Sequence, residues 1–411
     1  MQTIRSFYSY YKEAIQDSLF KNSFFISLSR IFDAGFGFFF WLFAANMYSI
    51  EDVGIASALI ACLEIIILLS RLGFDNSIIR FMPLCDPKKV FNTSFWVTCI
   101  VSLVISIIFL LAIPLISPTL LFVTNYSLIF IVVVIAYSIT FITGFAFIAL
   151  RRSDFRFLQS LSMGIRIPLL IPLIIFGSLG IFLGVGIGYL IAAFVGLLLI
   201  IKIIPLIYSI NREYIKESFN FNFLSYFASI IQSLPVLVIP ILILNILGSE
   251  SAAQFSVAFA IGNIIYIIPI AIGTSFFVEG SHGIDLRKGA IRALTVIYIL
   301  LLPAVLVILF FGDWILGLFG AKYLAGLELL KLLAISSIFG TIYYIFIPIQ
   351  IIKMRLKNVV LINSLGMFLL LSLCYFLIIP WGLAGIGFAF LVTYILLGTV
   401  IMIWIKSIGW I

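Results

Sequence analysis

Apolar runs of about twenty residues, separated by short polar segments, repeat along the chain from residue 24 to residue 405. A helix rises about 1.5 Å per residue, so about 20 apolar residues cross the roughly 30 Å core of a bilayer. The pattern predicts twelve spans in two groups of six. The first group is 24–48, 53–72, 93–116, 126–150, 161–180 and 184–208. The second is 223–247, 252–278, 291–318, 329–352, 359–379 and 382–405. Residues 1–22 break the pattern: Arg5, Lys12, Glu13, Asp17 and Lys21 stand among aromatics, with no apolar run of the signal-peptide kind. They read as a short cytoplasmic amphipathic helix on the membrane surface. The expected organisation is this segment, a first six-helix lobe over 23–210, and a second over 211–411.

The distribution of cations sets the orientation. Lysine and arginine retained on the cytoplasmic side mark the inner loops. With both termini inside, the inner segments hold nearly all of them, among them Arg71, Arg80, Lys88 and Lys89; Arg151, Arg152, Arg156 and Arg166; Arg287, Lys288 and Arg292. Only Lys322 and Lys331 fall outside, and Arg30 lies within the first span. An even number of spans follows.

Composition agrees with an all-α integral membrane protein. Of 411 residues, 64% are hydrophobic and 10% charged, against about 25% charged in soluble domains. The net charge of +8 sits in short loops, which reads as topology and not as a nucleic-acid surface. No loop has room for a catalytic domain, so no enzyme chemistry is expected. A single histidine, His282, excludes a histidine-built metal site, and no metal or cofactor is expected. Cys62, Cys85, Cys99 and Cys374 form no CxxC pair, and no disulfide is expected.

The halves resemble each other. A shift of 199 lays Glu51 on Glu250, Ser57 on Ser256, Asp33 on Gln232, Glu64 on Asn263 and Arg80 on Glu279. Near the ends a shift of 201 lays Gly184, Gly186 and Gly188 on Gly385, Gly387 and Ala389. Halves with an even number of spans have the same orientation, so these are parallel repeats about an axis along the membrane normal.

Charge inside a span is expensive and usually faces a cavity or a partner. Asp33 and Glu64 lie roughly 12–13 Å from the cytoplasmic ends of their spans, with Arg30 one turn from Asp33. Arg30, Asp33 and Glu64 are expected to meet at one depth, as a cavity floor or as an ion cluster joining two helices. Gln232 and Asn263 extend this set as uncharged candidates for the substrate path. Arg80 and Glu279 are the candidate cytoplasmic gate, since equivalent inward-facing positions oppose each other and these carry opposite charge. Arg71 and Arg166, at the cytoplasmic rim, are candidate phosphate contacts.

The segment from Asn46 to Pro83 contains Glu51-Asp52-Val53-Gly54, Ser70-Arg71-Leu72-Gly73-Phe74 and Ile78-Ile79-Arg80-Phe81. With Ala149-Leu150-Arg151-Arg152, Val278-Glu279-Gly280-Ser281-His282, Leu316-Gly317-Leu318-Phe319-Gly320-Ala321-Lys322-Tyr323 and Gly382-Leu383-Ala384-Gly385-Ile386-Gly387, it resembles the polysaccharide-biosynthesis flippases. These belong to the multidrug/oligosaccharidyl-lipid/polysaccharide (MOP) exporter superfamily. The resemblance covers essentially the whole chain in order. It implies two six-helix lobes in a V around a cavity flanked by spans 1, 2, 7 and 8. It also implies a monomeric multi-pass protein of the cell membrane. The implied activity is flipping of a sugar chain on a polyprenyl phosphate or pyrophosphate from the cytoplasmic to the outer leaflet. Membrane lipid is the other expected partner, with Na+ or H+ as a candidate coupling ion. The alternative is a cation-coupled multidrug exporter of the same superfamily, with Asp33 and Glu64 carrying the ion.

Overall fold

The computed structural model describes residues 18–281, 285–353 and 355–407. The N-terminal segment up to Asp17, and His282, lie outside the described residues. All regular structure among the described residues is helical. The order is α1 (Ser18–Met47), α2 (Ile50–Ser70), α3 (Phe74–Phe81), α4 (Pro87–Ile116), α5 (Ser127–Ala149), α6 (Ser153–Ser162) and α7 (Gly177–Ile201). There follow α8 (Arg212–Ile246), α9 (Ser249–Ser281), α10 (Leu286–Gly317), α11 (Leu327–Ile352) and α12 (Leu356–Ser407).

Ten of the described helical runs are long and apolar enough to cross a bilayer, against twelve expected. Two places differ from the expected pattern. Two runs, Leu170–Ile201 and Lys357–Lys406, each contain a boundary that the hydropathy pattern places between two spans. Each is interrupted by a glycine within a few residues of that boundary. Gly177 has φ 53° and ψ −131°, and Gly382 has φ 54° and ψ −133°. That conformation is open essentially only to glycine. The two lie 205 residues apart, so the expected offset of 201 near the ends of the halves widens here by four, about one helical turn.

The expected span 161–180 is not one continuous helix. It is a string of short pieces: the end of α6, a 3-10 turn at Met163–Arg166, a helical turn at Leu170–Leu173 and a second 3-10 turn at Ile174–Phe176. Pro168 and Pro172 each remove a backbone donor and clash with the preceding turn, and Gly164 adds a further weak point.

The caps show the same recurrence. Asp86 caps α4 by accepting from the Lys88 amide. Asp285 caps α10 by accepting from the Arg287 and Lys288 amides. They are 199 residues apart and share nearly one backbone conformation, φ −60° and ψ 113° against φ −61° and ψ 108°. An aspartate at this position satisfies amides that a helix start leaves open.

Two compact units divide the chain. One comprises the described residues up to Ala44 with Leu63–Ile230; the other comprises Ala45–Cys62 with Ile231–Ile411. Phe74, Ile78, Phe91, Phe95, Phe147 and Tyr214 anchor a buried core in the first. Phe346, Ile362, Leu397, Ile401 and Ile405 anchor one in the second. In the second unit Gly54 of α2 lies directly against the Ser249 carbonyl, where any Cβ would collide. Large apolar side chains also point outward: Leu115 is 91% exposed and Phe310 74%. Lipid, not water, is the solvent such faces require.

An arginine-lined candidate site

Arg156 stands at the centre of the site. It lies on α6, and its Nη2 donates to Asp33 Oδ2 on α1 at 3.2 Å, an ion pair within the first unit. Its Nη1 reaches Gln159 Oε1, one turn along α6, at 3.3 Å. Gln159 is buried and is anchored through Nε2 to Thr143 Oγ1 of α5 at 2.8 Å and to the Ala192 carbonyl of α7 at 3.2 Å. Three helices therefore fix where the guanidinium sits.

The ion pair lines a cavity of about 380 Å³, with the Gln159 anchor behind it. Arg30, Asp33, Arg156, Arg166, Tyr137 and Tyr189 supply its chemistry, with Ser29 and Thr140 as further polar lining. Two glycines make room for the arginine stems. A Cβ on Gly144 would stand 3.2 Å from Arg156 Cδ, and one on Gly188 3.2 Å from Arg166 Cβ. The rings of Tyr137 and Tyr189 stack 3.9 Å apart, with their planes 14° from parallel. Arg166 lies over the Phe40 ring at 5.4 Å, and its Nε is buried without a hydrogen-bond partner. Among the described residues, three guanidiniums thus face one carboxylate.

The arrangement suits a polyanion. Guanidinium is planar, permanently charged and matched in geometry to phosphate oxygens. In a partly desolvated cavity each such contact is stronger than in water. Asp33 offsets part of the positive charge and occupies one guanidinium.

The other sequence candidates fall as follows. Arg30 and Asp33 line the same cavity, but the carboxylate pairs with Arg156 and not with Arg30. Glu64 is only partly buried and is outside the cavity lining. Arg71 pairs with Asp75 at 3.4 Å and lies over the Phe141 ring at 4.4 Å. Arg80 is exposed at the end of α3, 4.6 Å over the Phe221 ring. In the second unit, Gln232 lines a cavity with Tyr343 and Tyr344, while Asn263 is exposed on α9. Glu279 is exposed beside Asp285, Lys288 and Arg292.

Sequence reasoning placed Arg156 among the loop cations and passed over Tyr137, Gln159 and Tyr189. A signal was present. Arg156, Gln159, Met163 and Arg166 follow the three-and-four spacing of one helix face, and all four contribute to this site.

The model of the family described as "Polysaccharide biosynthesis protein" matches residues 19–277. Solved structures of membrane transporters share the fold, three of them as follows. One is a multidrug resistance MATE family transporter of the MOP superfamily in an inward-facing conformation, with a TM-score of 0.78 and 14% identity over 91% of this chain and 94% of that one. Another is the lipid II flippase MurJ in an inward closed conformation, with a TM-score of 0.74 and 16% identity over 92% and 87%. A third is a MOP superfamily transporter from Pyrococcus furiosus, described as having a binding pocket of reverse polarity, with a TM-score of 0.63 and 12% identity over 95% of each chain. The comparison with curated proteins produced no match.

Proposed function

Because the chain belongs to the polysaccharide biosynthesis protein family, multi-pass membrane proteins of the MOP superfamily, we propose that it flips polyprenyl-pyrophosphate-linked oligosaccharides from the cytoplasmic to the outer leaflet of the cell membrane. The observation that carries this reading is the cavity in which Arg30, Arg156 and Arg166 converge. A pyrophosphate group brings clustered negative charge, and three guanidiniums replace the hydration it loses on leaving water. The family and the fold neighbours are transporters, in keeping with translocation and no bond cleavage.

On this reading the chain has twelve spans, the glycine breaks at Gly177 and Gly382 each dividing a pair, with both termini cytoplasmic. It works as a monomer by alternating access, which needs two states of similar energy. Arg80 and Glu279 form the cytoplasmic gate. Glu64, a half-buried carboxylate within a membrane span, is the site at which a coupling Na+ or H+ would act.

The test is transfer of a fluorescent polyprenyl-pyrophosphate oligosaccharide across proteoliposomes carrying the purified protein. Transfer well above empty liposomes, reduced at least tenfold by Arg166→Ala and by Arg30→Ala, is the expected result. No transfer with several glycans, together with cation-dependent efflux of a dye, would instead identify a multidrug exporter.

A further inference from the structure

The second unit holds a cavity of a different chemistry. We propose that it is a carbohydrate subsite, built to bind neutral sugar residues. The inference rests on the flippase reading for its biological meaning, but the site is argued from its own residues.

The cavity measures about 140 Å³ and lies among α8, α11 and both arms of α12. Gln232, Tyr343, Tyr344, Asn363, Thr393 and Tyr394 give it its polar and aromatic lining. An adjoining cavity of about 320 Å³ shares Gln232, Tyr343 and Tyr344 with it. The larger space alone falls within the range of small-molecule pockets, about 300–1,000 Å³. Among the described residues, no lysine, arginine, aspartate or glutamate lines either one. A charged ligand would find no counter-charge there, in contrast to the arginine cavity of the first unit.

Thr393 points to a ligand. It is 3% exposed, and its Oγ1 is buried without a hydrogen-bond partner. Threonines in apolar helices usually turn the hydroxyl onto the carbonyl four residues back. Thr399 does so on the same helix and Thr341 on α11. Thr393 does not, and it lines the cavity. A buried hydroxyl with no partner is destabilising and calls for an explanation. A sugar hydroxyl in this cavity would supply the missing bond.

The surrounding groups are held in place. The Tyr343 hydroxyl donates to Asn363 Oδ1 at 2.9 Å. That bond fixes which way the amide presents its donors and its remaining acceptor capacity. The Tyr344 and Tyr394 hydroxyls approach to 3.4 Å. Behind them, the Tyr266 hydroxyl and Ser336 Oγ share a bond of 2.5 Å, and the Tyr266 ring lies 5.9 Å from that of Tyr394. Rigid aromatic faces meet the apolar C–H faces of a pyranose, while hydroxyls and amides at their edges meet its hydroxyls. The combination suits a neutral sugar better than a purely apolar or an ionic ligand.

The test uses the full-length protein in lipid nanodiscs and saturation-transfer NMR. Four probes are titrated in parallel: N,N′-diacetylchitobiose, a mixture of glucose, galactose and mannose, inorganic pyrophosphate, and ethidium. Wild type should transfer saturation to sugar ring protons. Thr393→Val, which keeps shape and removes the hydroxyl, should weaken sugar binding about three- to tenfold. Tyr394→Ala should weaken it about tenfold, and Tyr394→Phe less. Arg166→Ala should leave sugar binding unchanged while weakening pyrophosphate. Silence from every sugar overturns the subsite, even where pyrophosphate binding and lipid flipping persist. So does sugar binding that Thr393→Val and Tyr394→Ala leave untouched, or ethidium binding at this cavity with no sugar signal. Sugar binding lost in Thr393→Val, in a protein that neither flips the lipid nor binds pyrophosphate, would sustain the subsite and defeat the flippase reading.

Discussion

Asp33 on α1 and Arg156 on α6, 123 residues apart, are joined at 3.2 Å in the wall of a cavity that holds two more guanidiniums. The carboxylate is 36% exposed and the guanidinium 24%. Ion pairs this accessible contribute about 0–1 kcal/mol to stability. Their effect on a competing anion is more direct, because the carboxylate occupies donors that a phosphate would use. Asp33→Asn should leave the melting behaviour nearly unchanged and tighten inorganic pyrophosphate by up to about fivefold, the equivalent of about 1 kcal/mol. Isothermal titration of the purified variant measures this. Affinity falling tenfold would show that Asp33 organises the site more than it competes for it.

Arg166 carries the cavity's unpartnered Nε. Removing a guanidinium that binds a charged group costs about 1.5–3 kcal/mol, so Arg166→Ala should weaken pyrophosphate about ten- to a hundredfold. Lysine keeps the charge but not the planar fork, and Arg166→Lys should recover only part of the loss. Full recovery by lysine would mean that charge alone suffices.

Charge reversal tests the proposed gate. Arg80→Glu and Glu279→Arg should each lower lipid flipping, and the double exchange should restore it. The Arg80→Glu variant also removes the contact with Phe221, so thermal stability is measured alongside. Equal flipping by the single reversals and the exchange would remove the gate from the mechanism.

The glycine positions give a prediction about folding. A Cβ at Gly382 meets nothing within 4 Å, so Gly382→Ala tests backbone conformation alone. At φ 54° and ψ −133° the cost should be about 1–3 kcal/mol, read as a lowered melting temperature in detergent. Gly54→Val tests contact alone, because its side chain would enter the Ser249 carbonyl, and should be the more damaging of the two.

The helical membrane fold and most helix positions were legible because a bilayer demands long apolar runs, and such runs survive any detail of packing. The span 161–180 reads as one helix because hydropathy reports what a segment dissolves in, not whether its backbone is continuous; Pro168 and Pro172 break it. Arg30 and Asp33 could be found from their cost in a span. Arg156 could not be found that way. It sits just past two loop arginines, and only the folding of α6 against α5 and α7 brings it to Asp33. Thr393 was invisible for another reason: an orphaned hydroxyl is defined by its neighbours, not by its residue type.

The broken stretch from Met163 to Phe176 also has a mechanical meaning. Its amides bond at mixed spacing, Ile167 to the Gly164 carbonyl and Leu170 to Ile167, but Leu173 to Leu169. A ladder of uneven rungs resists extension less than the regular helix Gly177–Ile201 beside it, and its amides should exchange with deuterium sooner. Met163 and Arg166 of the cavity wall belong to that stretch. Arg166 therefore stands on the irregular backbone and Arg156 on the part that Gln159 pins, so the cavity presents one cation on a loosely laddered segment and one on a firmly held helix.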